Sequence, residues 1–265
     1  MADNRPIGIF DSGVGGLTVA NAIRNILPNE QLIYFGDTAH LPYGDKSRDT
    51  IIGYSLAIAK FLKEQNCKVI VIACNSASSN AFESVCDLVP EIPVINVIDP
   101  IVKFVSSQEK LKHIGVIGTK STVGTNVYQE KITQLNKTKL VSSMATPLFV
   151  PMIEEGFIFD DISNAIIRNY LSRHEIKGID ALILGCTHYP IIKNQINKFY
   201  NFDIDIIDSS KVVAMHVQKL LNEKELLSTN DKAENKYFVS DYTDYFQIIA
   251  KMFFEEDINL ELVHL

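Results

Sequence analysis

The chain has 265 residues, of which 46% are hydrophobic and 22% are charged, and its formal net charge at pH 7 is −7. This composition is typical of a soluble globular protein, and the length suffices for one large or two ordinary domains. The negative charge argues against nucleic acid or an anionic membrane surface as the main partner. No apolar run is long enough to cross a bilayer, and the N-terminus lacks the apolar core of a signal peptide. We therefore expect a cytoplasmic protein.

The four cysteines of the chain are expected to be reduced in that compartment. They include no Cys-x-x-Cys pair, so the sequence predicts neither a zinc site nor a dithiol redox centre. Any chemistry they perform is then expected from single thiols.

The first predicted strand covers residues 7–10 and leads into a glycine-rich loop and a helix over residues 17–27. Asp11 and Ser12 stand at the carboxyl end of this strand, where open α/β sheets bind their ligands. Capping of the following helix is an alternative role for Asp11. The glycine spacing of the loop fits neither a Walker loop nor a dinucleotide-binding fingerprint, so we expect no nucleotide cofactor.

The second predicted strand, residues 31–35, is followed by a long loop over residues 36–44 that contains proline, glycine and tyrosine. Such a loop is typical of a lid or of the wall of a cleft. His40 in this loop has the side chain of a general base, although a solvated loop histidine is the common alternative.

An unbroken β-branched run, residues 69–72, predicts a strand that is buried on both faces. Small and hydroxyl-bearing residues follow, and a helical pattern resumes at residue 81. This places Cys74 at the carboxyl end of a strand, beside the free N–H groups of a helix N-terminus. Because such a terminus stabilises a thiolate, we expect Cys74 to have a lowered pKa. The alternative is a small buried cysteine without a chemical role.

The same pattern occurs again at residues 181–190, where an apolar strand ends in a second cysteine, Cys186. Cys186 follows Cys74 by 112 residues, and two further similar segments, residues 7–12 and 114–119, are separated by 107 residues. This internal similarity predicts two related α/β lobes. Each lobe then offers one strand-end cysteine to a shared cleft, an arrangement that suits chemistry on two opposite faces of a substrate.

The rest of the chain continues the alternation of strands and helices, which indicates parallel sheets covered by helices. A lobe boundary is predicted at Asp99, and the tail beyond residue 208 is predicted to complete the first lobe. The first lobe then comprises residues 1–98 and 209–265, and the second lobe comprises residues 99–208.

Thr119 and Thr122 follow a predicted strand over residues 114–117. A ligand carboxylate would find hydroxyl and backbone donors there, although capping of the next helix uses the same residues. That helix is predicted over residues 123–135, and a final helix is predicted over residues 242–254.

Five segments together resemble the motifs of the glutamate racemases, and they occur in the family's order across nearly the whole chain. The segments are residues 7–16, 41–44, 73–78, 117–119 and 184–190. The clearest departure is Ser76, where the family usually has threonine, and the hydroxyl group is kept. The resemblance implies two flavodoxin-like lobes with parallel sheets, related by a pseudo-twofold axis, with the active site in the cleft between them.

The resemblance also implies an activity, the interconversion of L- and D-glutamate without pyridoxal phosphate or any other cofactor. The D-glutamate would serve bacterial peptidoglycan synthesis. Glutamate is then the small-molecule substrate, the protein is expected to be a homodimer, and no metal, nucleic acid or membrane takes part.

By resemblance, Cys74 deprotonates D-glutamate and Cys186 deprotonates L-glutamate. Asp11 would assist proton transfer on the Cys74 side and His188 on the Cys186 side, with Glu154 as a further helper. The residues that match the family's substrate contacts are Asp11, Ser12, Tyr43, Gly44, Asn75, Ser76, Thr187 and His188.

This chemistry agrees with the residue pattern, because racemisation removes the α-proton from one face of the substrate and returns a proton to the other. A thiolate on one face and a thiol on the other do this without rotation of the substrate. From the sequence alone two alternatives remain open. One is an aspartate racemase of the same superfamily, which would share the two-cysteine layout, and the other is a non-catalytic binding or regulatory protein on this fold.

Overall fold

The computed structural model describes residues 2–230, 234–242, 246, 251 and 258–265, and their strands form two parallel β-sheets. The first sheet contains β1 (Ile7–Asp11), β2 (Leu32–Gly36), β3 (Val69–Ile72), β4 (Val94–Asn96), β9 (Lys236–Val239) and β10 (Leu260–Leu262). The second sheet contains β5 (His113–Gly118), β6 (Leu140–Ala145), β7 (Ala181–Gly185) and β8 (Asp205–Ile207).

Helices connect the strands and cover the faces of both sheets. In the first half of the chain they are α1 (Leu17–Ile26), α2 (Arg48–Glu64), α3 (Asn75–Asn80), α4 (Phe82–Leu88), α5 (Ile98–Ser107), α6 (Lys120–Gly124) and α7 (Val127–Leu135). In the second half they are α8 (Phe149–Glu154), α9 (Asp161–Leu171), α10 (Lys193–Phe199) and α11 (Ser209–Glu223).

Both sheets contain the same four-stranded unit. The strand order is β10-β9-β2-β1-β3-β4 in the first sheet and β6-β5-β7-β8 in the second, and the pairings are parallel. In each unit the first strand has the second on one side and the third and fourth on the other, the order of flavodoxin-like sheets. The predicted α/β class with two parallel sheets is therefore confirmed. Since β3 and β7 occupy equivalent places, Cys74 and Cys186, which follow them, are equivalent as well.

One apolar core is shared by the two sheets and includes residues of α1, α5 and α11. Along β3, Val69 and Val71 belong to this shared core, whereas Ile70 and Ile72 belong to a separate cluster on the outer face of the first sheet. This is the two-residue alternation of a strand, and β7 shows it too. Both sheets are therefore covered on both faces, which explains why their strands read as unbroken apolar runs.

The tail of the chain pairs with the first sheet, because β9 lies beside β2 and β10 lies beside β9. The limits proposed for the two lobes, at residues 98 and 208, stay a prediction. The predicted helix over residues 242–254 falls mostly outside the described residues.

Two helical regions differ from the prediction. The helical pattern predicted from residue 81 corresponds to α4, but the short helix α3 before it was not predicted. Cys74 Sγ caps α3 by accepting a hydrogen bond from the Ala77 N–H (3.5 Å). The helix predicted over residues 123–135 is divided into α6 and α7 at Asn126. The φ angle of Asn126 is 55°, a left-handed conformation that asparagine adopts more readily than most residues.

Candidate active site

A small cavity lies between the carboxyl ends of β3 and β7. Its volume is about 20 Å³, which is room for one or two water molecules. This volume is smaller than that of a free amino acid. The lining residues are Ser12, Leu41, Pro42, Tyr43, Gly44, Cys74, Asn75, Ser76, Thr119, Val150, Cys186, Thr187 and His188.

The structure brings most of the predicted site residues to this cavity. The cavity is lined by Ser12, Tyr43, Gly44, Cys74, Asn75, Ser76, Cys186, Thr187 and His188, whereas Asp11 does not line it. Thr119 lines it, whereas Thr122 and Glu154 lie one layer behind, in contact with lining residues. The catalytic and binding roles of all the predicted site residues stay predictions.

Cys74 is buried at the start of α3. Its Sγ accepts from the Ala77 N–H and lies 3.6 Å from Ser12 Oγ. Burial, reinforced by the negative charge of Asp11, raises the pKa of Cys74 to about 12, although Ala77 and Ser12 act in the opposite direction. The predicted lowered pKa is therefore wrong, because burial outweighs the effect of the helix N-terminus.

Asp11 is a buried carboxylate just behind the Cys74 side of the cavity. Its Oδ2 accepts hydrogen bonds from the N–H groups of Gly13 (3.1 Å) and Gly16 (3.0 Å). Its Oδ1 accepts from Thr187 Oγ1 across the lobes (3.4 Å). Burial raises the pKa of Asp11, and the positive charge of His188 opposes this shift. Asp11 thus organises the glycine-rich loop and also contacts the other lobe.

A histidine lies beside Cys186. The Cys186 Sγ lies 3.9 Å from His188 Nδ1, and His188 Nε2 lies 3.0 Å from Glu154 Oε1. The second contact is an ion pair without the angles of a well-aligned hydrogen bond. Burial opposes the charge of His188, but its contacts with Cys186 and Glu154 outweigh burial and raise its pKa to about 10. At neutral pH the His188 ring beside Cys186 is therefore an imidazolium.

Hydroxyl groups from both lobes meet at a third side of the cavity. Ser76 Oγ lies 2.9 Å from Thr119 Oγ1 and 3.4 Å from Thr122 Oγ1. Thr119 also accepts from the Thr122 N–H (3.2 Å) and so caps α6. The expected helix capping is present, and of the two threonines Thr119 reaches the cavity. The hydroxyls of Ser76 and Thr119 line the cavity and are of the type that can act as neutral donors.

Two further residues define the same side of the cavity. Asn75 Oδ1 accepts from Tyr128 OH (2.7 Å), and its buried Nδ2 has no hydrogen-bond partner among the described residues. That amide is a donor available to a ligand. A Cβ atom at Gly44 would lie 2.7 Å from Thr119 Cβ, so only glycine permits this approach of the two lobes.

The loop between β2 and α2 contains a contact that sequence reasoning missed. The Tyr43 hydroxyl donates to the buried carboxylate of Asp37 (2.5 Å). Because this hydroxyl is already bonded, the ring and the main chain of Tyr43 are the parts that remain for the cavity. His40 lies outside the cavity and also contacts Asp37 (2.8 Å). One signal for Asp37 existed in the sequence, because it follows β2 at the same sheet edge as Asp11. Val150, which α8 brings to the cavity, had no such signal.

Within the described part of the chain, no group of three or more His, Cys, Asp or Glu side chains is arranged to hold a metal ion. The described residues also include no helix that is long and apolar enough to span a membrane.

Each of the two α/β lobes places a strand-end thiol in one cavity, with a carboxylate behind one thiol and an imidazolium beside the other. These features define a two-lobed α/β protein with two thiols in one cavity. The model of the Asp/Glu/Hydantoin racemase family matches residues 17–217, and the chain belongs to that family.

Known proteins resemble the chain over nearly its full length. A glutamate racemase from Chlorobium phaeobacteroides is 44% identical over 260 residues, which are 97% of this chain and 96% of that protein. The crystal structure of glutamate racemase from Francisella tularensis in complex with D-glutamate has a TM-score of 0.93 at 44% identity and covers 98% of each chain. A glutamate racemase isoform from Bacillus anthracis has a TM-score of 0.93 at 32% identity, over 99% of this chain and 98% of that one.

Proposed function

We propose that this protein interconverts L- and D-glutamate by two-base proton transfer between Cys74, the substrate and Cys186. The observation that carries the proposal is that two buried thiols from equivalent strands of two sheets line one cavity. The similarity to proteins named glutamate racemase, one of them in complex with D-glutamate, supports glutamate as the substrate.

In the direction from L- to D-glutamate, the Cys186 thiolate takes the α-proton and becomes a thiol. The electron pair stays on the substrate as a carbanion conjugated with the α-carboxylate. The Cys74 thiol then gives its proton to the opposite face of Cα and becomes a thiolate. The reverse direction exchanges the roles of the two cysteines, so one base serves each face.

The partners of the two thiols fit these starting states. His188, protonated at neutral pH, stabilises the thiolate at Cys186 that accepts the proton of L-glutamate. Asp11 and burial keep Cys74 protonated, which is the form that donates. For D-glutamate Cys74 has to lose its proton, and the α-ammonium group of the substrate would supply the positive charge that its surroundings lack.

Neutral donors would hold the two carboxylates of glutamate. The donors are Ser12, the Asn75 Nδ2 amide, Ser76, Thr119, Thr187 and the main chain of Gly44. A donor that is already in place when negative charge develops contributes about 3–4 kcal/mol to its stabilisation. Such donors would stabilise the carbanion-like state without a large positive charge in the cavity.

The test is a circular-dichroism assay of dialysed protein with L-glutamate and, separately, with L-aspartate. We expect loss of optical activity with L-glutamate and much slower loss with L-aspartate. A preference for aspartate would favour the aspartate-racemase alternative. Absence of turnover with either amino acid in varied buffers would favour the non-catalytic alternative.

Three further expectations belong to the same proposal. The D-glutamate formed would serve peptidoglycan synthesis, the protein would act in the cytoplasm, and it would form a homodimer. Sedimentation equilibrium of the purified protein tests the last expectation directly, because a mass near that of one chain at assay concentration would contradict it.

A further inference from the structure

The loop between β2 and α2 forms one wall of the cavity but has little regular structure of its own. Four of its residues line the cavity, Leu41 through Gly44, and its only described helical parts are short 3₁₀ turns over Thr38–His40 and Tyr43–Asp45. A segment of this kind depends on side-chain contacts for its position.

Those contacts converge on one buried carboxylate, that of Asp37. Its Oδ2 accepts from the Tyr43 hydroxyl (2.5 Å), and its Oδ1 contacts His40 Nδ1 (2.8 Å) and accepts from Ser240 Oγ (2.7 Å). Because a carboxylate accepts, Nδ1 of His40 carries the proton in this contact. The His40 ring also stacks on Tyr54, with ring centroids 4.0 Å apart.

The same loop is attached to the end of β9, about two hundred residues further along the chain. Ser240 Oγ accepts from the Ala39 N–H (2.9 Å) while it donates to Asp37. Thr38 Oγ1 donates to the Asp241 carbonyl (2.5 Å) and accepts from the Asp241 N–H (2.9 Å). Asp37 thus joins the cavity wall on one side to the first sheet on the other.

The position of Tyr43 determines where Gly44 meets the second lobe. Gly44 approaches Thr119 so closely that a Cβ atom would lie 2.7 Å from the threonine Cβ. Thr119 is in turn 2.9 Å from Ser76. A shift of Tyr43 therefore moves the donors on this side of the cavity, while neither cysteine is in contact with Asp37 among the hydrogen bonds described.

We propose that Asp37 is a positioning residue that sets the affinity for the substrate carboxylate through Tyr43 and Gly44. Asp37 does not line the cavity, and both its oxygens are already occupied by donors, so it has no part in proton transfer. The inference deepens the proposed function and rests on it for the identity of the carboxylate.

The variants Asp37→Asn and Tyr43→Phe test the inference in steady-state assays with each enantiomer. We expect KM to rise about tenfold in both directions, a size typical of losing a hydrogen bond to a charged group, with kcat within about twofold. Tyr200→Phe and Asp180→Asn are the matched controls. The Tyr200 hydroxyl has no partner within the described residues, and Asp180 is exposed at the opposite edge of its sheet.

A fall in kcat at unchanged KM would overturn the inference, because it would place Asp37 in the chemical step. Unchanged kinetics in both variants would overturn it as well. If Asp37→Asn does not fold, Tyr43→Phe decides, since it removes one hydroxyl and keeps the ring.

Hydrogen–deuterium exchange gives a readout that does not depend on activity. In Tyr43→Phe we expect faster exchange of the amides of residues 38–45 and unchanged exchange in β7. Wild-type protein that does not racemise glutamate would count against the proposed function alone, and the exchange data would still decide the positioning role. Unchanged exchange in the loop would overturn it.

Discussion

The two halves of the cavity have the same architecture and opposite electrostatics. Cys74 and Cys186 follow equivalent strands of repeated four-stranded units. Burial, reinforced by the carboxylate of Asp11, raises the pKa of the Cys74 thiol, whereas the His188 beside Cys186 has its pKa raised to about 10. The repeated fold thus places two thiols at equivalent positions, and the charged groups near them differ, a carboxylate on the Cys74 side and an imidazolium beside Cys186.

The largest expected effect on racemisation comes from removing either of the two cavity thiols. Cys74→Ala and Cys186→Ala should each lower racemisation at least about 10³-fold, within the range that one acid–base group contributes. Cys86→Ala is the matched control, because this half-buried cysteine on α4 does not line the cavity. Circular dichroism in the far ultraviolet checks that each variant keeps the fold. Turnover near that of the wild type in either active-site variant would show that two thiol bases are not required.

Removing the His188 cation should reduce the difference between the two halves. His188→Asn should lower kcat with L-glutamate about 10²-fold, because the Cys186 thiolate loses its stabilising imidazolium. In the wild type, the protonated form of His188 is present below its pKa of about 10 and is lost above it. The kcat for L-glutamate should therefore fall as pH rises through about 10.

Glu154→Gln sharpens this test of the Cys186 half. Glu154 helps to raise the pKa of His188, so its neutral replacement should move the alkaline fall in kcat to lower pH. Glu155→Gln, the neighbouring exposed carboxylate, is the control. An alkaline limb that stays in place in Glu154→Gln would contradict the assignment of that limb to His188.

A smaller effect is expected where the two halves touch. A Cβ atom at Gly15 would lie 2.4 Å from Thr187 Oγ1 and 2.9 Å from His188 Nδ1. Gly15→Ala should therefore displace the Cys186 partners and lower kcat/KM about tenfold, since small misplacements of catalytic groups are costly. Gly53→Ala in α2 has nothing within 4 Å of the added atom and should stabilise the helix by about 1 kcal/mol. Equal kinetics in the two variants would contradict this close contact.

The sequence predicted those parts of the site that depend on local pattern. The β-branched run before Cys74 and the apolar run before Cys186 indicated buried strands, and the repeat indicated equivalent places for both thiols. The direction of the Cys74 pKa shift was predicted wrongly, because it depends on burial by elements distant in the chain. Asp37 was missed for a related reason, since its contact with Ser240 joins residues 203 positions apart.

The limits of the helices also depend partly on features that a local sequence pattern does not show. The division between α6 and α7 at Asn126 follows from one left-handed residue that a periodic pattern does not register. The start of α3 depends on a thiol that caps a helix, a role usually filled by oxygen-bearing side chains. Local composition thus predicted the strands well and the helix starts less well.

The most direct test of the account is the position of deuterium early in the reaction of L-glutamate in heavy water. With one base on each face, D-glutamate should carry deuterium at Cα, delivered by the exchanged Cys74 thiol, while recovered L-glutamate stays mostly protonated. In Cys74→Ser, the L-form should still lose its α-proton to Cys186, and in Cys186→Ser the D-form should still lose its α-proton to Cys74. Early product that retains the original α-proton would contradict the two-base account, because it would show one base carrying that proton from face to face.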